Sequence, residues 1–321
     1  MFKYYMNNPN SFNINASDVL FFNIFIKNNL LYCITPLYKN NIMEHNEMII
    51  ECNNCNLSVK ETVRKEEYEA TQIIIYDLSF SIQNTYDICV TYKDKKKNYT
   101  LTNIVYEEPK QLCLTTLLKT DYKLIDMFYK YYKKQGVDHF YMYYNGLLND
   151  EIKSYYNKPD ITMIEWNFKY WNTKSIGSNH HAQLGQLHDA LYRFGKDNIK
   201  CMIFCDLDEY MYNKEHKLID LIKNDSYDTF LFLNRFSNFF TKDVPNEFPT
   251  EFKVASPLPF PQRCKCIHKV DSIKHLGVHR ATKYNNKSNV DESSIHFHFH
   301  TLGGGDVTPF STPETIKIEL P

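Results

Sequence analysis

Residues Cys201-Met202-Ile203-Phe204-Cys205 form a short apolar run that stops abruptly in Asp206-Leu207-Asp208-Glu209. An unalternating apolar run of this length is the pattern of a strand covered on both faces, and so of a central strand in an α/β sheet. In open sheets of that class, ligands bind beyond the carboxyl ends of the strands. Asp206, Asp208 and Glu209 stand at such an end. Asp206 and Asp208 are two apart, so strand geometry aims both at one side. Two converging carboxylates repel each other unless a cation lies between them. Mg²⁺ and Mn²⁺ prefer oxygen ligands and commonly bridge a substrate diphosphate. The plain alternative is a solvated acidic turn; the buried strand in front of the acids argues against it.

The rest of the chain fits this reading. Its 321 residues suit one large domain or two smaller ones, and 43% hydrophobic with 15% aromatic residues is ample for a core. The formal net charge of -1 carries no general nucleic-acid footprint. No basic-then-apolar leader pattern opens the sequence. The apolar run Val19 to Ile34 is interrupted by Asn23, Lys27, Asn28 and Asn29, so it is not a membrane span. A soluble, cytoplasmic protein, or part of something larger, is expected. The nine cysteines are expected as free thiols, with Cys52-x-x-Cys55 and Cys264-x-Cys266 the close pairs. Those pairs lie too far apart in sequence for a shared zinc site to be the expectation.

Two regions meet at a seam. Residues 1–109 read as a β-rich, sandwich-like N-terminal domain of short apolar runs: Val19–Phe25, Leu30–Ile34, Glu47–Glu51, Gln72–Tyr76, Asp87–Tyr92 and Tyr99–Val105. Glu107-Glu108-Pro109-Lys110 reads as a linker. Residues 110–321 alternate strand and helix, which predicts an α/β domain with a mostly parallel, doubly covered sheet. Its strands are expected at Leu112–Leu118, Val137–Tyr144, Ile161–Trp166, Ile199–Cys205 and Thr229–Leu233. Asp121 is a plausible N-cap for a helix that stops at Gln135-Gly136. A long helix spans His181–Phe194, with either a ligand-facing or an exposed polar face; short helices are expected at Leu148–Tyr156 and Lys217–Lys223.

In order, the chain carries Gly136-Val137-Asp138-His139-Phe140-Tyr141-Met142-Tyr143-Tyr144-Asn145, then Gln183, Gln186 and Asp189 on one helix, then Asp206-Leu207-Asp208-Glu209. This series, over roughly residues 111–301, resembles glycosyltransferase family 92 and its neighbours. The resemblance implies a GT-A-like, Rossmann-like catalytic domain behind a β-rich region. It implies a metal-dependent transfer, with Mn²⁺ or Mg²⁺, from a nucleotide-sugar donor such as a UDP-sugar to a glycan or glycoprotein acceptor. Galactose is the sugar that relatives of this family use, and inversion at the anomeric carbon is implied.

Carried over residue by residue, Asp208 resembles the stronger metal ligand, and Asp206 the residue nearer the ribose or sugar. Glu209 completes the motif, in a catalytic or supporting place. The loop after the first strand, Thr115 to Asp121 with Thr116, Leu117 and Lys119, should face the nucleotide, as should Asn145, Gln183, Gln186 and Asp189. The family usually has Asn-Glu where this chain has Lys119-Thr120, and an acid where it has Tyr144. Ile295-His296-Phe297-His298-Phe299-His300-Thr301 resembles the family's histidine-aromatic motif. His298 is the expected extra metal ligand and His300 the alternative registration. Alternate histidines on a strand share a face but rarely all reach one ion.

Other features stay open at this level. Trp166 and Trp171 either stack on sugars or pack. Lys265, Lys269, His275, His279 and Arg280 either neutralise a departing diphosphate or form a solvated basic run. Gly303-Gly304-Gly305 is either a lid segment over the donor or a loop without function. Asp243, Glu247 and Glu251 are candidates for the general base. Two other functions compete: a nucleotidyltransferase, and a non-catalytic carbohydrate-binding protein on a decayed glycosyltransferase fold.

Overall fold

The computed structural model describes residues 9–39, 47–64, 71–79, 84–106, 108–175, 180–238, 244–254, 260–284, 288–299 and 314–321. His300, Asp243 and the glycine run at 303–305 lie outside them.

Four parallel strands carry the acidic motif: Lys110–Leu118, His139–Tyr144, Ile161–Glu165 and Ile199–Phe204. They lie side by side in the order third, second, first, fourth. The first strand therefore has the second on one side and the fourth on the other, with register Thr115↔Tyr141 and Thr115↔Phe204. The strand order reverses between the first and fourth strands, and in open sheets of this class the carboxyl ends at such a switch point are where ligands bind. The helix Ile125–Lys134 buries Ile125, Phe128, Tyr131 and Tyr132 on one face. It closes at Gly136, whose φ of 90° suits glycine. Asp121 does not cap it by its side chain; its Oδ1 accepts instead from the Lys119 N–H at 2.9 Å.

Beyond the fourth strand the sheet is mixed, not mostly parallel. Phe260–Lys269 pairs antiparallel with it, and Thr229–Asn238 follows antiparallel again. Ser288–His298 lies parallel to Thr229–Asn238 and antiparallel to Glu209–Asn213. With Glu251–Val254 and Glu314–Lys317 this makes a ten-stranded sheet. The sequence hides these strands behind polar residues. Lys265 and His275 read as part of a basic run, yet both are buried.

Seven of the N-terminal strands form a separate sheet, and Phe12–Asn13 pairs with Val19–Phe21 beside it. Its edges are Met48–Cys52 and Asn56–Val63, neighbours in the chain, so the sheet must curl to bring them together. Phe21, Ile24, Ile26, Leu31, Val90 and Leu101 fill its inside. Cys52 and Cys55 form a disulfide across the joining turn, which corrects the expectation of free thiols for that pair. The other seven cysteines are free and buried.

The helix His181–Asp189 and its π-helical continuation Ala190–Gly195 lie between the two sheets, and every residue of both is buried. This excludes an exposed polar face and explains the absence of a clean amphipathic pattern. Phe22, Phe25, Ile34 and Ile75 from the curled sheet share one core with Leu184, Leu187 and Leu191. At Gly185 the packing is close: a Cβ there would stand 2.6 Å from the Phe22 ring. Polar ties cross the seam as well. Asn23 Nδ2 donates to Asp189 Oδ1 at 2.7 Å, and the buried Lys27 ammonium donates to the Tyr192 carbonyl at 3.2 Å. Among the described residues, no helix is long and apolar enough to cross a membrane.

Buried neutral histidines set an acid limit on this fold. The Leu276 N–H donates to His188 Nε2 at 3.1 Å and the Ala281 N–H to His268 Nε2 at 3.3 Å, which only unprotonated nitrogens accept. Burial holds His188 well below its ordinary 6.5, His181 at about 4 and His268 at about 3. Unfolded, each takes a proton near 6.5. Stability is therefore full above pH 6.5 and is lost as pH falls towards 4. The loss is up to about 1.4 kcal/mol per histidine per pH unit. Thermal unfolding between pH 7.5 and 4.5 should show a midpoint falling steadily below 6.5; a flat midpoint would contradict this.

Candidate active site

The acids stand on a tight turn. The Glu209 N–H donates to the Asp206 carbonyl at 3.1 Å, and the Asp206 N–H donates back to Glu209 Oε2 at 2.8 Å. This turn ends the fourth parallel strand and starts Glu209–Asn213. The histidine strand is tied to it: the Phe299 N–H donates to the Asp208 carbonyl at 2.8 Å, and Glu209 lies opposite His298. Strand alternation then places His296 and His298 on the Glu209 side, while Phe297 and Phe299 face the core that holds Tyr210.

Six ionisable groups meet here. His298 Nε2 lies 3.5 Å from Asp208 Oδ2, and His298 Nδ1 is 3.9 Å from Glu209 Oε1. His296 Nε2 is 3.5 Å from Glu209 Oε1. Lys265, with only 2% of its side chain exposed, places Nζ 2.9 Å from Glu209 Oε2 and 3.4 Å from Asp206 Oδ2. Its third partner is the Val278 carbonyl at 3.3 Å. Burial disfavours the charge on Lys265, but Asp206 and Glu209 outweigh it and raise its pKa. Burial likewise opposes ionisation of Glu209, and Lys265 and His296 hold its carboxyl well below the usual range. Desolvation raises the Asp206 carboxyl; Lys265 pulls it down and the charges of Glu209 and Asp208 push it up. With 35% of that side chain in contact with solvent, the desolvation is partial. Burial lowers His298, while the closeness of Asp208 and the charge of Glu209 outweigh it and raise the pKa.

The expected residues divide into two groups. Asp206, Asp208, Glu209, Gln183 and His298 come together. Gln183 Nε2 donates to Asp206 Oδ1 at 3.0 Å and its Oε1 accepts from the Tyr170 hydroxyl at 3.0 Å. The others brace the scaffold. Thr115 Oγ1 accepts from Gln186 Nε2 at 2.7 Å and donates to the Tyr141 carbonyl, and both side chains are buried. Asn145 Nδ2 donates to the Trp166 and Phe168 carbonyls at 2.8 and 2.7 Å, joining two strand ends. Asp189 is fully buried and takes hydrogen bonds from Asn23 and Tyr143, so its carboxylate holds the seam. Thr116 and Leu117 are buried at the end of the first strand, and Lys119 is exposed beyond it.

Of the base candidates, Glu247 is a surface residue paired with Lys134 at 2.8 Å and Lys130 at 3.4 Å. Glu251 is exposed at the start of its strand. The basic run disperses: Lys265 enters the site, His275 is buried with Nε2 2.8 Å from the Thr71 carbonyl, and Lys269 pairs with Asp225. Sequence reasoning missed Lys265 as the internal counter-ion, and Tyr170. Asp121, which ends the loop expected to face the nucleotide, has its carboxyl raised by burial and by the charge of Asp208, against backbone hydrogen bonds that lower it.

The model of glycosyltransferase family 92 matches residues 109–312, well over half of the chain. The chain belongs to glycosyltransferase family 92. Among curated proteins, none matches it. The span matching family 92 begins one residue before the first parallel strand and contains the acidic turn, Lys265 and the histidine strand. As a family 92 glycosyltransferase, the chain has a sugar donor and an acceptor as its partners.

Whether these residues fit a divalent cation can be read from their donors. Among the described residues, no group of three or more His, Cys, Asp or Glu side chains is arranged to enclose a metal ion. Asp208 and His298 offer one carboxylate oxygen and one imidazole nitrogen, 3.5 Å apart and partly open to solvent. Two protein donors suit an ion that completes its shell with substrate phosphates and water, the usual manner of Mg²⁺. The donor set thus fits a cation shared with the substrate better than a resident one.

Proposed function

We propose that this family 92 chain transfers a hexose, with inversion, from a UDP-sugar to a hydroxyl of a glycan or glycoprotein, on a GT-A-like domain beginning near residue 110. The observation that carries the reading is the meeting of Asp208 with His298, beside Asp206, just past the carboxyl end of the fourth parallel strand, where the strand order reverses. Nucleotides bind at such switch points. Asp208 and His298 would hold Mn²⁺ or Mg²⁺ together with the donor's diphosphate. A cation there supplies Lewis-acid neutralisation of the charge that develops on the leaving group.

The chain's own residues do the positioning. Gln183 and Lys265 fix the two oxygens of Asp206 and leave the side chain a third exposed, aimed at the ribose or the sugar. Glu209 Oε2 is held by Lys265 and the Asp206 N–H while Oε1 faces His296 and His298, so its part is to hold the turn rather than to accept a proton. The product distinguishes this reading from a nucleotidyltransferase. Incubation with UDP-galactose and Mn²⁺ should release UDP, detected by mass spectrometry; pyrophosphate as the product would overturn it.

A further inference from the structure

The chain has two tryptophans, and the structure separates them. Trp166 is fully buried, and its indole N–H donates to the Ala182 carbonyl at 2.9 Å. Trp171 is 55% exposed, yet it is held in place. Its backbone bridges His180, and its ring lies 4.4 Å from the His180 ring and 5.2 Å from the Tyr170 ring. The loop behind it is anchored on the N-terminal region: Asn172 reaches Asp18 at 3.4 Å, and Ser175 bridges Tyr38.

Position gives this ring a meaning that exposure alone does not. Trp171 follows the third parallel strand at its carboxyl end, the edge of the sheet where nucleotides bind. Two hydrogen bonds lead from its neighbour to the site: Tyr170 OH to Gln183, and Gln183 to Asp206, each 3.0 Å. A flat, exposed aromatic ring whose neighbour is hydrogen-bonded through Gln183 to Asp206 is a stacking surface beside the carboxylate cluster, and planar bases stack on aromatic rings through their π-faces.

We propose that Trp171 is the platform on which the nucleobase of the donor stacks, with Tyr170 and Gln183 setting its distance from Asp206. The proposal rests on the nucleotide-donor reading above and adds the residue that grips the base. A pyranose ring is the competing occupant, and its chemistry gives a different result in the test.

The experiment uses the full chain with Mn²⁺ and titrates UDP, inorganic pyrophosphate and methyl galactoside. Intrinsic fluorescence and calorimetry are read for the native protein, Trp171→Phe and Trp171→Ala. Trp166 remains as a buried internal reference, and an unchanged thermal midpoint shows that the variants fold. UDP should quench the native emission. Trp171→Ala should weaken UDP binding by about 5- to 150-fold, leave pyrophosphate binding unchanged, and be largely rescued by phenylalanine. Native-like UDP affinity in Trp171→Ala would overturn this proposal and leave the donor reading intact. Absence of UDP binding to the native protein would overturn both. Quenching by methyl galactoside without quenching by UDP would assign the platform to a sugar and overturn the base assignment.

Discussion

Replacing Asp208 by alanine is expected to weaken Mn²⁺-dependent binding of UDP by at least about 100-fold, the scale on which even supporting residues of metal sites act. The fold should be unaffected. Asp208 stands on a turn after a strand end, and its backbone carbonyl, not its side chain, accepts the bond that ties down Phe299. Removing the carboxylate also removes like-charge repulsion from Asp206. The thermal midpoint should stay level or rise while binding disappears. Calorimetry with and without Mn²⁺, run beside thermal unfolding, separates the two effects. Native-like metal-dependent UDP binding in Asp208→Ala would remove this residue from the site.

Lys265→Met should act in the opposite manner, through stability first. Lys265 is the counter-ion for two carboxylates, and Glu209, with 3% of its side chain exposed, cannot turn to water when the ammonium is lost. Breaking a buried pair by deleting one partner typically costs about 3–5 kcal/mol, because the other charge stays buried. Denaturant unfolding should report a loss of that size, together with collapse of any UDP binding, since Asp206 and the turn lose a common anchor. The double variant Lys265→Met with Glu209→Gln should recover most of the stability, because it no longer buries an uncompensated charge. If Lys265→Met alone costs less than about 1 kcal/mol, in the range of an exposed pair, the ion pair is not the internal tie described here.

What the sequence revealed followed from local pattern. The apolar run before Asp206 marks a buried strand because it lacks alternation, and the three acids after it mark where that strand ends. The four parallel strands are legible for the same reason, as is the helix stop at Gly136. Long-range pairing is what local pattern cannot carry. Lys265 and Glu209 are 56 positions apart, and nothing around Lys265 says that its charge points inward. Phe260–Lys269 and Asn56–Val63 are strands built from polar residues, held by neighbours rather than by propensity. Helix His181–Asp189 is buried on every side because a second sheet covers it, so its polar residues looked ligand-facing or exposed when most are braces. Of the two tryptophans, only the fold tells which one packs.

The most direct test of the central claim is a time course of UDP release from UDP-galactose by the native protein, with Mn²⁺ and with excess chelator, beside Asp208→Ala. The account predicts release in Mn²⁺ by the native protein, little in chelator, and none above background from Asp208→Ala. Release at the same rate in all three conditions, or pyrophosphate in place of UDP, would contradict it.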